Sequence, residues 1–307
     1  MSKTRHLVEP ALLPLIDNMP ELTLSHETLP LIRQAFTAME PEAQPLPEGV
    51  TLTELTLPGF KGAPDVRALH YAPSTPPRGT LVHFHGGGLV LGRPEQMQIA
   101  HGQLAAQMGL EIIAPAYRLA PEHPAPASLE DGLSTVMWAQ GRSAKLIIGG
   151  DSAGGGLAAS VASAARDHLS VTPALLALLY PMLDPRTGGD ADRSGALTGE
   201  YVWTRTYNQF GWQAYLGDTD PKEAHVIPFL ETLDGFPPTF IATGTLDLFY
   251  AENLRFAAAL TEAGVEAELV AYPGAIHAFP MVPESQAAQK YNQDYAAALE
   301  RALTLGD

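Results

Sequence analysis

A glycine-rich turn around Ser152 is the first place in this sequence where residue type and spacing could do chemistry. Residues 145–160 read KLIIGGDSAGGGLAAS, an apolar run followed by a turn and a run of small residues. This pattern predicts a buried strand, a sharp turn and a helix. Gly150 and Gly154 flank the serine at the spacing of a nucleophile elbow, in which the turn leaves no room for side chains. We therefore expect Ser152 to act as a nucleophile, with the backbone N–H of Ala153 aimed at developing negative charge.

A second glycine-rich segment, His-Gly-Gly-Gly at 85–88, follows another apolar strand-like run. By composition, Gly-x-Ser-x-Gly arises about 0.2 times in a chain of this length, whereas His followed by three Gly arises about 0.01 times. The second motif is therefore the more specific of the two. Residues without side chains let backbone amides approach a substrate closely. We expect Gly87 and Gly88 to complete an oxyanion hole with Ala153.

Two interpretations exist for His85. With Gly86, it is expected to position the loop through hydrogen bonds rather than to act as a base. Alternatively, His83 and His85 share one face of a strand end, a spacing used by metal hydrolases. Two histidines do not make a metal site, and the other histidines are scattered along the chain. We therefore predict no metal here.

A serine nucleophile needs a base, and the base needs an orienting carboxylate. Functional groups of parallel α/β sheets collect in the loops at the carboxyl ends of strands. Asp247 and His277 each follow one of the last two predicted strands, so both can converge on Ser152. The chain order Ser, Asp, His is the one found with this elbow. Glu252 is an alternative acid, but it lies a helical turn further along the chain.

Strand and helix patterns alternate from residue 80 onward, after an antiparallel strand pair. Apolar strands separated by helices predict a mostly parallel, eight-stranded sheet that is covered by helices on both faces. The predicted strands are 51–57, 66–71, 80–84, 111–114, 145–148, 174–180, 239–243 and 266–272, and the predicted helices are 95–108, 127–140, 153–167, 204–216, 250–263 and 284–303.

Two segments outside this alternation predict a cap. Residues 1–48 form a proline-interrupted N-terminal cap segment with a helical pattern at 27–40, and residues 49–307 form the catalytic domain. Residues 184–225 are too long for a simple connection and are expected to form a cap insertion. The aromatic residues of the insertion either line a substrate pocket or form the core of the cap; they are Trp203, Tyr207, Phe210, Trp212 and Tyr215.

Charge and composition exclude several classes of partner, site and location for this protein. The formal charge of −16, from 34 acidic and 18 basic side chains, disfavours binding to nucleic acid or to an anionic membrane surface. The absence of cysteine excludes disulfides, thiolate–zinc sites and a cysteine nucleophile. Glu9, Pro10 and Pro14 interrupt any signal-peptide core, and the most apolar segment, 173–183, is too short to span a bilayer. We therefore expect a soluble, cytoplasmic protein.

Three motifs together resemble a known family. HGGG at 85–88, GDSAG at 150–154 and YRLAPEHPAPA at 117–127 are similar to motifs of the bacterial hormone-sensitive-lipase-like esterases, which are α/β-hydrolases. The resemblance covers the chain from about residue 52 to its end. Arg118 and Glu122 of the third motif are expected to form structural hydrogen bonds.

The resemblance implies an α/β-hydrolase fold with a helical cap and hydrolysis of small carboxylic esters, of short to medium chain length, without a cofactor. Many family members are homodimers, so a homodimer is the expected state. On these positions the family pattern implies that Ser152 is the nucleophile, His277 the general base and acid, and Asp247 the residue that orients the histidine. It also implies that the oxyanion is bound by Gly87, Gly88 and Ala153.

The sequence departs from the family pattern around the pocket and the acid. The family often has Asp-Pro-Leu-x-Asp at the acid, whereas residues 247–251 read DLFYA; Leu89 and Ala278 replace a common Phe and Gly. No reacting atom is lost, so only the pocket shape is open, with Leu89, Trp203 and Tyr207 as candidate lining residues. Two alternatives stay open: hydrolysis of lactones or acylated small molecules by the same triad, and a non-catalytic receptor, which an intact His277 argues against.

Overall fold

Eight strands form a single sheet in the structure, a computed structural model that describes residues 2–20, 23–38, 45–227, 230 and 232–304. The strands are β1 (Val50–Leu57), β2 (Val66–Pro73), β3 (Gly79–Phe84), β4 (Leu110–Pro115), β5 (Leu146–Asp151), β6 (Leu175–Leu179), β7 (Thr239–Gly244) and β8 (Ala267–Tyr272). The described α-helices are α1 (Leu13–Asp17), α2 (Leu29–Ala38), α3 (Gln98–Met108), α4 (Ala127–Ala139), α5 (Ala153–Leu169), α6 (Arg205–Leu216), α7 (Tyr250–Glu262) and α8 (Gln286–Thr304).

The sheet has the order β1-β2-β4-β3-β5-β6-β7-β8. The β1–β2 and β2–β4 pairs are antiparallel, and every pair from β4 to β8 is parallel. The predicted mostly parallel, eight-stranded sheet is therefore confirmed. Because β3 to β8 run in one direction, their carboxyl ends share one edge of the sheet, where functional loops are expected to meet.

Successive residues of the central strands point into two separate apolar clusters, as the pleat of a strand requires. Ile148 of β5 lies in a cluster with residues of α4, α5 and α7, whereas Ile147 lies in a cluster with residues of α3 and α8. Helices therefore cover both faces of the sheet. Strands that are buried on both faces read as continuous apolar runs, which is why the sequence located them.

The observed boundaries of β5 and α2 differ from the predicted ones. β5 continues three residues beyond the predicted end at 148, because Gly149, Gly150 and Asp151 still pair with β6. The glycines look like a turn in the sequence but remain extended up to the nucleophile. The helical pattern at 27–40 corresponds to α2, and its last two residues, 39 and 40, lie outside the described residues.

The long connection between β6 and β7 carries α6 within the predicted insertion. Tyr215 near the end of α6 accepts a 2.7 Å hydrogen bond at its carbonyl from the Ala125 N–H, which fixes α6 against the chain before α4. In the described part of the chain, no helix is both long and apolar enough to cross a membrane.

Candidate active site

Ser152 occupies a strained turn between β5 and α5. Its φ of 56° and ψ of −119° are rare for a residue with a side chain. Three hydrogen bonds hold this conformation: the Ser152 N–H donates to the Leu179 carbonyl (2.8 Å), and the Ser152 carbonyl accepts from Gly156 (3.0 Å) and Met182 (2.9 Å). The side chain is 4% exposed. The turn therefore projects a hydroxyl above the carboxyl end of β5.

The glycines around the serine are required by close backbone contacts. A Cβ on Gly150 would overlap the Gly154 carbonyl, and a Cβ on Gly154 would overlap the carbonyls of Phe84 and His85. The start of α5 thus packs backbone against backbone on the end of β3. This contact brings the first amide of α5, that of Ala153, next to the loop that follows β3.

His277 and Asp247, the predicted base and acid, are joined by a hydrogen bond between their strand-end loops. His277 Nδ1 donates to Asp247 Oδ2 over 2.8 Å, and Asp247 Oδ1 accepts a 2.8 Å hydrogen bond from the Phe249 N–H. Both side chains are buried, at 1% exposure for Asp247 and 7% for His277. Because Nδ1 carries the hydrogen, Nε2 is left as the acceptor that could take a proton.

Tyr180 links the base to the nucleophile turn. Its ring lies 4.4 Å from that of His277, and its neighbour Leu179 accepts the Ser152 N–H. The Ser152 hydroxyl forms no hydrogen bond within the described ranges. Such hydroxyl–imidazole contacts are often long before a substrate binds. The structure therefore brings the three side chains to one edge and joins Asp247 to His277 by a hydrogen bond.

Three backbone amides in the turns after β3 and β5 have no hydrogen-bond partner among the described residues. Gly87 and Gly88 have φ values of 122° and 63°, and the Gly87 carbonyl accepts from the N–H groups of Val90 (3.1 Å) and Leu91 (2.8 Å). Considering only residues that the structure describes, the amides of Gly87, Gly88 and Ala153 donate no hydrogen bond. Unpaired donors of this kind, next to a serine, can stabilise an oxyanion.

His85 supports the loop of residues 85–93 that follows β3. We call this segment the oxyanion loop, after the role predicted for its glycines. Its ring stacks on Tyr117 at 4.3 Å and an interplanar angle of 14°. Its Nδ1 donates to the Gly86 carbonyl (2.8 Å), and the Tyr117 hydroxyl donates to the His85 carbonyl (2.8 Å). Burial lowers the pKa of His85 to about 4, so the ring is neutral near pH 7. These contacts are those of a loop-positioning residue.

His83 has different neighbours from His85. Its ring is 4.9 Å from that of His101, and its Nε2 is 3.4 Å from Asp151 Oδ1. Across the described ranges, no group of three or more His, Cys, Asp or Glu side chains is arranged to hold a metal ion. The His83–His85 pair thus has no third ligand among the residues described.

Glu252, the alternative acid, is directed away from His277. Its carboxyl group accepts from the N–H groups of Leu183 (2.7 Å) and Asp184 (3.3 Å) and from the Thr187 hydroxyl. Burial raises the pKa of Glu252 to about 8, against the opposite effect of these donors. Glu252 also lines a cavity of about 490 Å³ that includes neither Ser152 nor His277. It joins α7 to the start of the insertion.

The candidate pocket residues lie beside the oxyanion loop. The ring of Trp203 packs so closely on Gly88 that a Cβ there would overlap it, and it lies 6.5 Å from the His277 ring. Its Nε1 donates to Asn208 (3.2 Å), which fixes the ring. Leu89 is 4% exposed, and Tyr207 contacts Trp203 at 5.9 Å. Of the other aromatic residues of the insertion, Trp212 and Tyr215 are buried in the core.

Sequence reasoning missed three residues that hold the site or the segments around it: Tyr180, Arg33 and Glu200. Tyr180 directly follows β6 and in the sequence resembles any strand residue. Arg33 reaches the oxyanion loop, and Glu200 binds the backbone of Lys3 and Thr4. No local pattern marks them, because their partners are remote in sequence.

Comparisons with known proteins agree with this geometry. A family model described as the α/β-hydrolase fold matches residues 81–281. The carboxylic ester hydrolase LipN of Mycobacterium tuberculosis is 34% identical over 259 residues, which cover 78% of this chain and 67% of LipN.

Among solved structures, a bacterial heroin esterase has a TM-score of 0.88 at 28% identity, covering 98% of this chain and 99% of its own. An esterase of the bacterial hormone-sensitive lipase family has a TM-score of 0.78 at 24% identity, covering 96% and 97%. The second likeness is one of fold.

Proposed function

Since this chain belongs to the α/β-hydrolase family and is a carboxylic ester hydrolase, we propose that Ser152 is its nucleophile, His277 its general base and Asp247 the orienting acid. The single observation that carries the assignment is the 2.8 Å bond from His277 Nδ1 to Asp247 Oδ2, formed between two strand-end loops at the edge where Ser152 lies. The motifs place the protein among the hormone-sensitive-lipase-like esterases.

In the first half-reaction, the Ser152 Oγ attacks the ester carbonyl carbon while His277 Nε2 takes its proton. The carbonyl electron pair moves to oxygen, and this oxyanion accepts hydrogen bonds from the amides of Gly87, Gly88 and Ala153. Asp247 stabilises the imidazolium. The bond from carbon to the alkoxy oxygen then breaks, and the leaving alcohol takes the proton from His277.

In the second half-reaction, water attacks the acyl group on Ser152. His277 takes a proton from the water, the same three amides bind the oxyanion, and the bond from the carbonyl carbon to Ser152 Oγ breaks. The proton returns from His277 to Oγ, and the carboxylic acid leaves. One water is consumed for each ester.

The substrate is proposed to be a small ester with a short to medium acyl chain. Support comes from Trp203, whose fixed ring lies against Gly88 and limits the space above the oxyanion loop. Leu89 and Tyr207 are proposed to line the same space. A small-molecule ester is the substrate class that the esterase relatives imply.

Residues 1–48 and 184–225 are proposed to form the cap over residues 49–307. Contacts between the two cap segments support this division, among them the ring of His26 against Phe210 at 5.1 Å. A homodimer stays a prediction from the family resemblance, and a cytoplasmic location stays a prediction from the sequence.

The direct test is Ser152→Ala, assayed on p-nitrophenyl acetate and butyrate. We expect kcat to fall by roughly 10⁴-fold or more, since removing the nucleophile leaves only oxyanion-hole and binding contributions. Ser160→Ala, a matched change on the same helix, should keep the parent rate. Parental activity in Ser152→Ala would refute the nucleophile assignment.

A second measurement separates the remaining alternatives. Mass tagging by a fluorophosphonate should label Ser152 in the parent and be lost in Ser152→Ala. A panel of esters from acetate to decanoate, with γ- and δ-lactones, would rank the substrate classes. Faster opening of a lactone than of any linear ester would favour the lactone alternative.

A further inference from the structure

The side chain of Arg33, on the N-terminal helix α2, reaches the loop that carries the oxyanion-hole amides. We propose that Arg33 is a positioning residue that fixes this loop, so that the N-terminal segment contributes to the rate of acyl transfer. The proposal rests on the function assigned above to Gly87 and Gly88.

The conformation of the oxyanion loop requires contacts from other segments of the chain. Four of its residues, Gly87, Gly88, Leu89 and Gly92, have φ values of 122°, 63°, 64° and 91°. Leu89 carries a side chain in a region that favours glycine, which costs about 1 kcal/mol or more. The loop forms neither a helix nor a strand between the end of β3 at Phe84 and a 3₁₀ turn that begins at Pro94. Its conformation therefore depends on the groups that bind its carbonyls.

Arg33 supplies two of these restraints with one guanidinium group. Its Nε donates to the Val90 carbonyl over 2.8 Å, and its Nη2 donates to the Ala120 carbonyl over 2.7 Å. The Ala120 N–H in turn donates to the Leu89 carbonyl over 3.0 Å. Arg33 thereby ties the oxyanion loop to the segment that follows β4.

Glu122 fixes the orientation of the guanidinium. Its two carboxylate oxygens accept from Arg33 Nη1 (2.7 Å) and Nη2 (3.0 Å). A two-point ion pair holds the guanidinium plane, which a lysine could not reproduce. The hydrogen bond from Arg33 is also the main reason that the pKa of Glu122 is lowered. This is a structural role for Glu122, as predicted.

Helix α2 is itself anchored beside the loop. Leu29 and Ile32, at 2% and 6% exposure, lie in the same apolar cluster as Leu89 and Val90. The backbone of Arg33 is therefore held in a fixed position by α2. A shift of α2 would move both carbonyl contacts and, through Leu89 and Val90, the adjacent amides of Gly87 and Gly88.

The experiment compares Arg33→Met and Arg33→Lys with the parent. Arg78→Met is the matched control, because Arg78 forms a similar two-point ion pair with Glu300 and precedes β3, so that it lies at the end of this strand opposite to the oxyanion loop. For each folded variant, kcat and KM are measured on p-nitrophenyl butyrate, together with the inhibition constant of an alkyl trifluoromethyl ketone. That ketone adds to the serine and places an oxyanion in the hole.

We expect Arg33→Met to lower kcat about tenfold, with KM within about twofold, and to weaken the ketone by a similar factor. This pattern marks an interaction made mainly in the transition state. Arg33→Lys, which can reach one carbonyl at a time, should recover part of the loss. Arg78→Met should leave all three quantities unchanged.

Three results would overturn the proposal. The first is an unchanged kcat and ketone affinity in folded Arg33→Met, and the second is a change confined to KM. The third is failure of both Arg33 variants to fold, which would assign Arg33 to stability alone. A parent enzyme that neither hydrolyses the ester nor binds the ketone would instead contradict the proposed function, so the two failures are distinguishable.

Discussion

The loops that carry the proposed reacting groups and the segments proposed to form the cap are held in place by different kinds of contact. We call the first region the rim, defined by the strand-end loops that carry Gly88, Ser152, Asp247 and His277. We call the second region the cover, defined by the described residues of 2–38 and 184–225. The rim is fixed largely by hydrogen bonds of the backbone at the strand ends, such as those that join Ser152 to Leu179 and Met182. Its geometry therefore follows from the order of the parallel strands.

The cover is fixed by side chains that reach across the sequence. Glu200 accepts hydrogen bonds from the N–H groups of Lys3 (2.7 Å) and Thr4 (2.9 Å) and from the Thr4 hydroxyl. These contacts hold the beginning of the described chain against the segment 184–225. We therefore expect changes in the rim to act on kcat and changes in the cover to act on which esters fit. Arg33 is the exception, because its side chain binds the Val90 carbonyl beside the oxyanion-hole glycines.

The largest effect is expected at the rim. Asp247→Asn should lower kcat by about 10⁴-fold, because an amide in this place favours the wrong tautomer of His277. Steady-state kinetics on p-nitrophenyl butyrate measures the loss. Asp17→Asn, at an exposed ion pair with Arg5, is the control and should keep parental activity. A loss below about tenfold in Asp247→Asn would mean that another group orients the base.

The contact between rim and cover can be broken at Gly88. Gly88→Ala should lower kcat/KM by about 100-fold, because the new methyl group overlaps the Trp203 ring and the residue has a φ of 63°. The overlap disappears in Gly88→Ala/Trp203→Ala, but the backbone strain of about 1–2 kcal/mol remains. The double variant should therefore recover part of the loss.

Equal activities of Gly88→Ala and the double variant would show that the backbone alone explains the loss. A matched change, Gly62→Ala, tests positive φ by itself, since this glycine has a φ of 89° and open space around its Cβ position. It should leave kcat/KM unchanged.

The difference between the rim and the cover also explains which side-chain positions could be predicted from the sequence. Ser152, Asp247 and His277 were predictable because each follows a recognisable apolar strand, and parallel strands bring their ends to one edge. The predicted hydrogen bond between Asp247 and His277 follows from that topology. The end of β5 was wrong by three residues, because glycines that pair in a sheet look like a turn.

The side-chain contacts of the cover could not be predicted. Arg33 binds a carbonyl 57 residues away, and Glu200 binds an amide 196 residues away. Local periodicity carries no information about such pairs. Trp203 and Trp212 belong to the same buried apolar cluster, but the ring of Trp203 also packs on Gly88 and lies 6.5 Å from that of His277.

A smaller effect is expected when a side chain of the cover is shortened and the rim is left unchanged. Trp203→Ala should raise kcat/KM for an octanoate ester relative to acetate by about tenfold, because the ring no longer limits the space beside Gly88. A chain-length series of p-nitrophenyl esters measures the ratio. Trp138→Ala, on the outer helix α4, is the control. An unchanged ratio would place the acyl chain elsewhere.

The smallest effect concerns Glu252 on α7, whose carboxyl group binds the start of the cover. Burial raises the pKa of this carboxyl group to about 8, against about 4.5 for an unfolded glutamate, so the folded state binds one more proton between these values. Stability from this group is full below about pH 4.5 and is lost as the pH rises to about 8, with a slope of at most about 1.4 kcal/mol per pH unit.

Glu252→Gln removes this proton while keeping an oxygen that can accept from the Leu183 N–H. We expect the free energy of unfolding of the parent, relative to that of the variant, to fall between pH 5 and pH 8. Urea denaturation at four pH values in that interval measures the difference, in which other titrating groups cancel. A difference that is constant with pH would mean that Glu252 is ionised in the folded protein. In that case the cover would be joined to α7 by a charged carboxylate that accepts from three donors, and those hydrogen bonds would offset the free energy of burying the charge.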